Sequence, residues 1–329
     1  MNLFALPHRL TRKLTQISTW AATALFMLAH NPLQANTNCP PAAAPLTQDE
    51  VAQGMQAARL KGLFWEARKD GRSLWLYGTV HAAQRSWMFP GPELLQAMRQ
   101  ADQVALELDM MDAALMQKLQ AAVMAPADEP KLPPELRARL DKAAAAECAE
   151  SLIKPMRAEF QAITLTTMVA RRQGVDPSYG IDGFLAGLAR GLGKPVVSLE
   201  TPEAQLAVLL PKDEATRIKM VDETLKGLET GQAAILIKRL TDAWAQGKLE
   251  ELENYGQWCD CLNTPEQKEF HKRLIDDRNL DMARKTTALH AQGKQVFVAV
   301  GALHMTGPQG LPALLKAQGF EVRRVMGLQ

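Results

Sequence analysis

The chain twice runs an apolar strand into the tetrapeptide Gly-x-x-His, once near each end. The first copy is LWLYGTVHAA, which contains Gly78 and His81, and the second is VFVAVGALHMTG, which contains Gly301 and His304. Each copy continues through Gly-Pro into a helical segment and a further strand, which is the order of a βαβ unit. Ancient duplication and convergence on βαβ order both explain the repeat. In either case, the two copies predict one sheet built from both ends of the chain.

Turn residues and hydrophobic patterns place the other elements. A hairpin is predicted with strands Phe64–Arg68 and Leu74–Tyr77 around an Asp70-Gly71 turn. Further strands are expected in QVALELDM, at Pro195–Leu199 and in FEVRRV. The segments at about 111–180 and 202–290 have helical patterns. The predicted fold is therefore α/β, with a single domain over residues 46–329 and a large helical insert or cap.

The N-terminus has the pattern of a secretory signal peptide. A basic start precedes the apolar stretch Ile17–Leu28, and Ala35 is a small residue at a suitable cleavage position. We expect residues 1–35 to be removed and residues 36–45 to form a flexible leader. An uncleaved anchor is the alternative interpretation. The predicted location is periplasmic or secreted, with no stable membrane span after cleavage.

Net charge argues against nucleic-acid binding. The chain carries 38 Lys and Arg against 36 Asp and Glu. Three of these basic residues, Arg9, Arg12 and Lys13, fall in the predicted signal peptide, and no acidic residue does. The predicted mature chain is thus close to neutral and slightly acidic. It has no basic excess of the kind that nucleic-acid-binding proteins use.

Four cysteines lie beyond the predicted signal peptide, at Cys39, Cys148, Cys259 and Cys261. An exported chain meets an oxidising compartment, so two disulfides are expected. Cys259 and Cys261 are expected not to pair with each other, because a single intervening residue makes a strained ring. Each should instead reach Cys148 or Cys39. A metal site built on the CDC stretch is less favoured, since the sequence has no matching second pair.

Four ionisable side chains follow predicted strands, where open α/β sheets bind ligands. They are His81, Glu107, Glu200 and His304. We interpret the motif glycines as freeing the backbone to turn each histidine over the sheet edge. The two carboxylates end segments otherwise suited to burial, so each needs a partner, a proton or a cation.

Two imidazoles with one or two carboxylates match the ligands of a catalytic Zn²⁺, Mn²⁺, Co²⁺ or Fe²⁺ site. Such a site would present hydroxide to a carbonyl, with a second carboxylate as general base. The competing interpretation is that each histidine is structural, because a single Gly-x-x-His is weak evidence.

The segment HKRLIDDRNLDMARK crowds charged residues onto one helix. On spacing alone it is better interpreted as a solvated face. Asn279 is harder to explain, since Asn is a mediocre helix former. Arg278 could bind a carboxylate or stabilise an oxyanion.

These elements together resemble the TraB/GumN family, which is related to the eukaryotic Tiki proteases and more distantly to erythromycin esterases. The matching elements run in order from about residue 60 to 325: LYGTVH, the Glu of VALELD, YGIDGFL with GKPVVSLET, DDRNLDMA and VAVGALHMTGPQGL. Each motif is weak alone, but the paired Gly-x-x-His motifs with Arg-Asn are specific in combination.

The resemblance implies a hydrolase-like α/β fold and, for Tiki-type members, a metal-dependent peptidase. It implies His81, His304 and Glu107 at the centre, with a divalent ion such as Mn²⁺, Co²⁺ or Zn²⁺. Arg278 and Asn279 match the family's Arg-Asn pair and are implied as pocket residues, which moves our interpretation of that helix towards function. Further recurring acidic positions are matched by Asp182 and Glu200.

Three functions follow as expectations. The first is an exported metal-dependent hydrolase that acts on a peptide bond. The second is a metal-independent esterase or amidase with a histidine general base. The third is a non-catalytic protein that binds a metal, haem or a peptide. In each case, the expected partner is a peptide or small molecule.

Overall fold

The computed structural model describes residues 39–211 and 213–327, which form a mixed α/β structure. The predicted α/β class is confirmed. The predicted signal peptide, residues 1–35, lies outside the described residues, as do residues 36–38 of the leader. None of the helices in residues 39–211 and 213–327 has the apolar length that a bilayer crossing requires.

One sheet runs through the described residues. Its strands are β1 (Leu63–Lys69), β2 (Arg72–Thr79), β3 (Gln103–Leu106), β4 (Val196–Ser198), β5 (Val296–Gly301) and β6 (Glu321–Arg324). Their order across the sheet is β4-β3-β5-β2-β1-β6. The four strands β4, β3, β5 and β2 are parallel, whereas β1 pairs antiparallel with β2 and β6. The parallel strands therefore end at one common edge.

The predicted hairpin is confirmed. Lys69 pairs with Arg72 across a two-residue turn. Asp70 and Gly71 both have left-handed backbone conformations, with φ of +52° and +74°. This is the turn geometry that matches the twist of two antiparallel strands.

Helices fill most of the remaining chain. Those before β4 are α1 (Gln48–Ala57), α2 (Pro92–Gln100), α3 (Ala113–Val123), α4 (Pro134–Ala146), α5 (Glu150–Ile153), α6 (Ala158–Met168) and α7 (Ile181–Gly191). Those between β4 and β5 are α8 (Pro202–Leu209), α9 (Glu214–Glu229), α10 (Gln232–Ala245), α11 (Leu249–Glu253), α12 (Tyr255–Trp258), α13 (Pro265–His271) and α14 (Asp277–Ala291). A π-helical turn, Lys272–Asp276, joins α13 to α14, and α15 (Leu311–Ala317) precedes β6.

The described residues contain two large apolar clusters. The main one surrounds the sheet, where the run from Val296 to Val300 in β5 is fully buried. A continuous apolar run suits a central parallel strand, because both of its faces are covered. The second cluster joins α4, α6 and α9 through Leu140, Leu165 and Val221. Part of the helical region thus has an apolar core of its own.

Trp244 connects the helical region to the sheet. This residue of α10 is fully buried, and its indole N–H donates a 2.6 Å hydrogen bond to the carbonyl of Gly78. Its ring lies 5.9 Å from that of Trp87 and 6.4 Å from that of Tyr77. A buried carbonyl without a partner is costly, so this bond helps to fix the end of β2.

The expected disulfide pairing is wrong, although all four cysteines are paired. Cys39 bonds to Cys148, and Cys259 bonds to Cys261. Asp260 explains why the second pair forms, since its φ of +53° turns the chain back within one residue. The Cα atoms of Cys259 and Cys261 thereby come within 5.1 Å, inside the range that a disulfide requires.

We expect Trp244→Phe to lower the free energy of unfolding by about 0.5–1.5 kcal/mol, because it removes the indole donor from the buried Gly78 carbonyl, which keeps its pairing with Leu63 in the β1–β2 ladder. Urea unfolding measures the change. Trp258→Phe is the matched control, since Trp258 also donates to a backbone carbonyl, that of Glu251, but is only partly buried. An equal loss in both variants would contradict a special role for the Trp244 bond.

Candidate functional site

The two Gly-x-x-His motifs leave the sheet side by side. Strands β2 and β5 are parallel neighbours, and Thr79 pairs with Gly301. The motifs are therefore offset by one residue along the same edge. His81 lies two residues after the end of β2, while His304 lies in a short 3₁₀ turn, Ala302–Met305, after β5.

Close packing, and not an unusual backbone, explains the two motif glycines. Neither Gly78 nor Gly301 has a positive φ, so our expectation that they free the backbone to turn is wrong. A Cβ at Gly78 would lie 3.0 Å from the Cα of Ala302. A Cβ at Gly301 would lie 3.1 Å from Oε1 of Glu107. Each glycine instead allows another group to approach the backbone.

Arg278 binds both strand-end carboxylates. Its Nε donates to Oε1 of Glu200 at 2.8 Å, and one terminal nitrogen contacts Oε2 of Glu200 and also Oε2 of Glu107, the latter at 2.7 Å. Its other terminal nitrogen donates to the carbonyl of Leu274 at 2.8 Å. Glu107 and Glu200 are 8% and 7% exposed. The guanidinium supplies the cation that these two buried charges need.

Glu107 receives hydrogen bonds on both carboxylate oxygens. The backbone N–H of Gly301 donates to Oε1 at 2.6 Å, which is the contact that a side chain at Gly301 would crowd. Gln205 donates to Oε2 of Glu107 at 3.2 Å and to Oε2 of Glu200 at 3.0 Å. The carboxylate is thus held by donors from β5, α8 and α14.

Asn279 orients His304. Its amide nitrogen donates to the carbonyl of Gln309 at 2.8 Å, so its Oδ1 must face the imidazole. Nδ1 of His304 lies 2.6 Å from that oxygen and is therefore the donor. Neutral His304 then carries its lone pair on Nε2. Asn279 is fully buried, which accounts for an Asn in the middle of a helix.

Two electron-rich atoms consequently face each other inside the protein. Nε2 of His304 lies 3.7 Å from Oε1 of Glu107. Burial lowers the pKa of His304 to about 4, although the charge of Glu107 opposes this shift. Burial also acts to raise the pKa of Glu107, but the charges of His304, His81 and Arg278 outweigh it and lower that pKa to about 2. At neutral pH, an imidazole lone pair faces a carboxylate.

His81 has a different environment. Its side chain is 68% exposed, and its Nδ1 lies 2.8 Å from Oδ2 of Asp182 in the first turn of α7. Thr79 donates to the other oxygen of Asp182 at 2.5 Å. The charge of Asp182 and its hydrogen bond raise the pKa of His81 to about 9. The imidazole is therefore protonated at neutral pH, so both of its ring nitrogens carry hydrogen.

Similarity to known proteins extends over most of the chain. Residues 63–324, which include the site residues described above, match the TraB/PrgY/gumN family. The chain belongs to this family. It is 32% identical over 155 residues to a protein named "Uncharacterized protein YbaP" from Escherichia coli (strain K12), and to one of the same name from Shigella flexneri. The alignment covers 47% of this chain and 54% of each relative, so it spans about half the length of these proteins.

The family resemblance expected from the motifs is thus confirmed. In this TraB/PrgY/gumN protein, the structure brings together the residues Glu107, Glu200, Arg278, Asn279 and His304. Arg278 forms hydrogen bonds with both glutamates, Asn279 forms one with His304, and His304 lies 3.7 Å from Glu107. His81 is linked to this cluster by charge rather than by a hydrogen bond in the described structure. No group of three or more His, Cys, Asp or Glu side chains within residues 39–211 and 213–327 has the arrangement of a metal site.

Two residues of the candidate site were missed from the sequence. Thr79 lies within the first Gly-x-x-His motif, but the motif was interpreted through its glycine and histidine. Gln205 lies one turn into α8, after the helix-capping Thr201. A helix predicted to begin just after Thr201 would have placed Gln205, in its first turn, near the end of β4.

We expect Arg278→Met to lower the free energy of unfolding near neutral pH by about 3–5 kcal/mol, because it leaves two buried carboxylates without their cation. Loss of the cation raises the pKa of Glu107 in the folded state, so the deficit should shrink as the pH falls towards 4.5, the ordinary pKa of a glutamate. Wild type should instead lose stability as the solution becomes acidic, because its Glu107 has a lowered pKa in the folded state. The stabilisation that ionised Glu107 provides is fully present above pH 4.5 and is lost as the pH falls through about 2.

Urea unfolding across this pH range measures both effects. Arg284→Met is the matched control, because Arg284 lies on the same helix with an exposed side chain and pairs with Asp281. A deficit in Arg278→Met that does not depend on pH would show that lost packing, and not charge, is responsible.

Proposed function

We propose that this family member is an exported hydrolase that cleaves peptide bonds with a divalent metal ion bound at the strand-end site. The observation that carries the proposal is the buried pair formed by Nε2 of His304 and Oε1 of Glu107. A lone pair and a carboxylate that face each other suit a cation between them. In this proposal, residues 1–35 direct export to the periplasm or beyond, and residues 46–329 form the single catalytic domain.

The chemistry of the donor atoms fits such an ion. Metal-binding histidines usually give their second ring nitrogen to a carboxylate or a carbonyl oxygen, which fixes the tautomer and leaves the other nitrogen for the metal. His304 has this arrangement with Asn279, and His81 has the same kind of partner in Asp182. Because His81 is protonated at neutral pH, it would release its Nε2 proton as the ion binds. We assign both imidazoles and Glu107 as ligands of Mn²⁺, Co²⁺ or Zn²⁺. The ion would have to draw these three side chains together, since they do not have the arrangement of a metal site in the described residues. When bound, the ion would supply Lewis-acid polarisation of a carbonyl.

The remaining residues hold the ligands in place. Both oxygens of Glu200 accept from Arg278, so we assign Glu200 the role of fixing the guanidinium. Arg278 and Gln205 together hold Oε2 of Glu107, which leaves Oε1 directed at His304. Arg278 can also present a positive charge to a substrate carboxylate or a developing oxyanion.

The first test uses the exposed ligand, because its loss should not impair folding. We expect Mn²⁺ at a hundred times its Kd to stabilise wild type by about 2.7 kcal/mol. Thermal unfolding should show a smaller gain in His81→Ala and no gain in Glu107→Gln. His271→Ala is the control, since His271 stacks on Tyr255 away from the site. If purified wild type holds no metal, and none of Mn²⁺, Co²⁺ or Zn²⁺ raises Tm or activity, the metal proposal fails.

A second candidate function rests on the pairing of His81 with Asp182. An exposed imidazole oriented by a carboxylate could transfer protons in the hydrolysis of an ester or amide without metal. Because Asp182 raises the pKa of His81 to about 9, His81 would donate a proton at neutral pH and would act as a base only in alkaline solution.

A strong chelator separates the two functions. The metal-dependent mechanism predicts that chelation abolishes cleavage of a peptide library and that added Mn²⁺ restores it. Activity on peptides or esters that survives chelation but is lost in His81→Ala would favour the metal-free mechanism. Ligand binding without turnover of any peptide or ester would favour the third expectation, a binding protein.

A further inference from the structure

The segment 39–47, which we call the strap, runs extended along the surface. It contains neither helix nor strand and ends where Thr47 caps the start of α1. Most of its residues are exposed, so apolar burial contributes little to holding it in place. The strap is held instead by a few polar contacts and by one covalent bond.

The polar contacts come from two side chains. The hydroxyl of Tyr179 accepts from the N–H of Ala44 at 2.9 Å and donates to the carbonyl of the same residue at 3.3 Å. Arg85 donates to the carbonyl of Pro45 at 2.6 Å. It also forms a two-point ion pair with Glu50 of α1, with contacts of 2.6 and 2.8 Å.

These two side chains belong to the two loops that carry His81 and its partner. Arg85 lies four residues after His81, and Tyr179 lies three residues before Asp182. The loops are packed tightly, since a Cβ at Gly180 would lie 2.6 Å from the carbonyl oxygen of His81.

Backbone bonds also join these two loops. Ala83 bridges to Asp176, and the N–H of Ile181 donates to the carbonyl of Val80 at 3.0 Å. The strap therefore contacts both loops that position His81, one through Arg85 and the other through Tyr179.

The covalent bond closes the far end of the strap. Cys39 bonds to Cys148, which follows α4 and is exposed. Cys148 has a left-handed backbone with φ of +51°, a position at which glycine is usual after a helix. A dissolved thiol can therefore reach this disulfide.

We propose that the Cys39–Cys148 disulfide is a redox-sensitive tether that keeps the strap on Tyr179 and Arg85 and so holds the His81 and Asp182 loops together. A dithiol reductant breaks it in two exchange steps. One reductant thiolate attacks a cysteine sulfur, breaks the S–S bond and forms a mixed disulfide; the second thiolate then displaces the protein sulfur. Two protein thiols and the oxidised cyclic reductant result, and the two electrons come from the dithiol.

Breaking the disulfide affects the site by loosening the loops that carry His81 and Asp182, and it leaves the site residues themselves chemically unchanged. Without the disulfide, the strap keeps only its few exposed hydrogen bonds, which hold a mobile segment weakly. Its departure removes the backbone partners of Tyr179 and the Pro45 carbonyl bound by Arg85, which keeps only its ion pair with Glu50, and so loosens the loops at 80–85 and 176–182. The consequence for catalysis rests on the proposed function, whereas the change in the loops does not.

Hydrogen exchange on the purified full chain tests the tether. We expect Cys39→Ser/Cys148→Ser to raise amide exchange at least about tenfold in the strap and in both loops, as dithiothreitol does in wild type. Cys259→Ser/Cys261→Ser is the matched control, because it removes the other disulfide and should leave these amides at wild-type rates until reductant is added.

Tyr179→Phe gives a second test with the disulfide intact. Loss of the hydroxyl should raise exchange at Ala44 and, to a smaller extent, in the loop at 80–85. The proposal is overturned if the strap exchanges faster while both loops stay unchanged, or if neither region responds in the double-serine variant. Faster exchange in all three regions, together with no metal binding and no hydrolysis in any redox state, would support the tether and reject the proposed function.

Discussion

The arrangement of the site depends on the charge balance around Arg278. Two carboxylates at the ends of neighbouring parallel strands would repel each other in a buried environment, and one guanidinium binds both. Removing one partner of such a group leaves an uncompensated buried charge, which costs far more than the group contributes when complete. The orientation of Glu107, and with it the short approach to His304, follows from this interaction.

Arg278 reaches the carboxylates from a helix that follows an uncommon type of turn. Its helix begins directly after a π-helical turn, Lys272–Asp276, and the guanidinium also binds the carbonyl of Leu274 within that turn. Turns of this kind often accompany functional sites, because the extra residue changes which side chains face the core. Here Arg278 and the adjacent Asn279 both reach the strand ends from consecutive positions.

The sequence was sufficient to predict much of this site, because strand ends and motif repeats report directly on topology. The hairpin, the single sheet built from both ends of the chain and the positions of the histidines and carboxylates after strands all follow from residue patterns. What was not predictable depends on contacts distant in sequence. The glycines are required by neighbours at Ala302 and Glu107, and the bond from Trp244 comes from an insert whose own pattern indicates only a helix. The pairing of Cys259 with Cys261 depended on one backbone angle at Asp260, which residue spacing does not specify.

The two motifs are alike in sequence but not in exposure. The side chain of His81 is 68% exposed, whereas that of His304 is 4% exposed. A molecule in solvent therefore meets the imidazole of His81 with its partner Asp182, and it does not reach that of His304 while the described contacts persist. Two copies of one motif thus differ in what they can do: the outer imidazole can exchange protons with solvent, whereas the inner one is shielded from it.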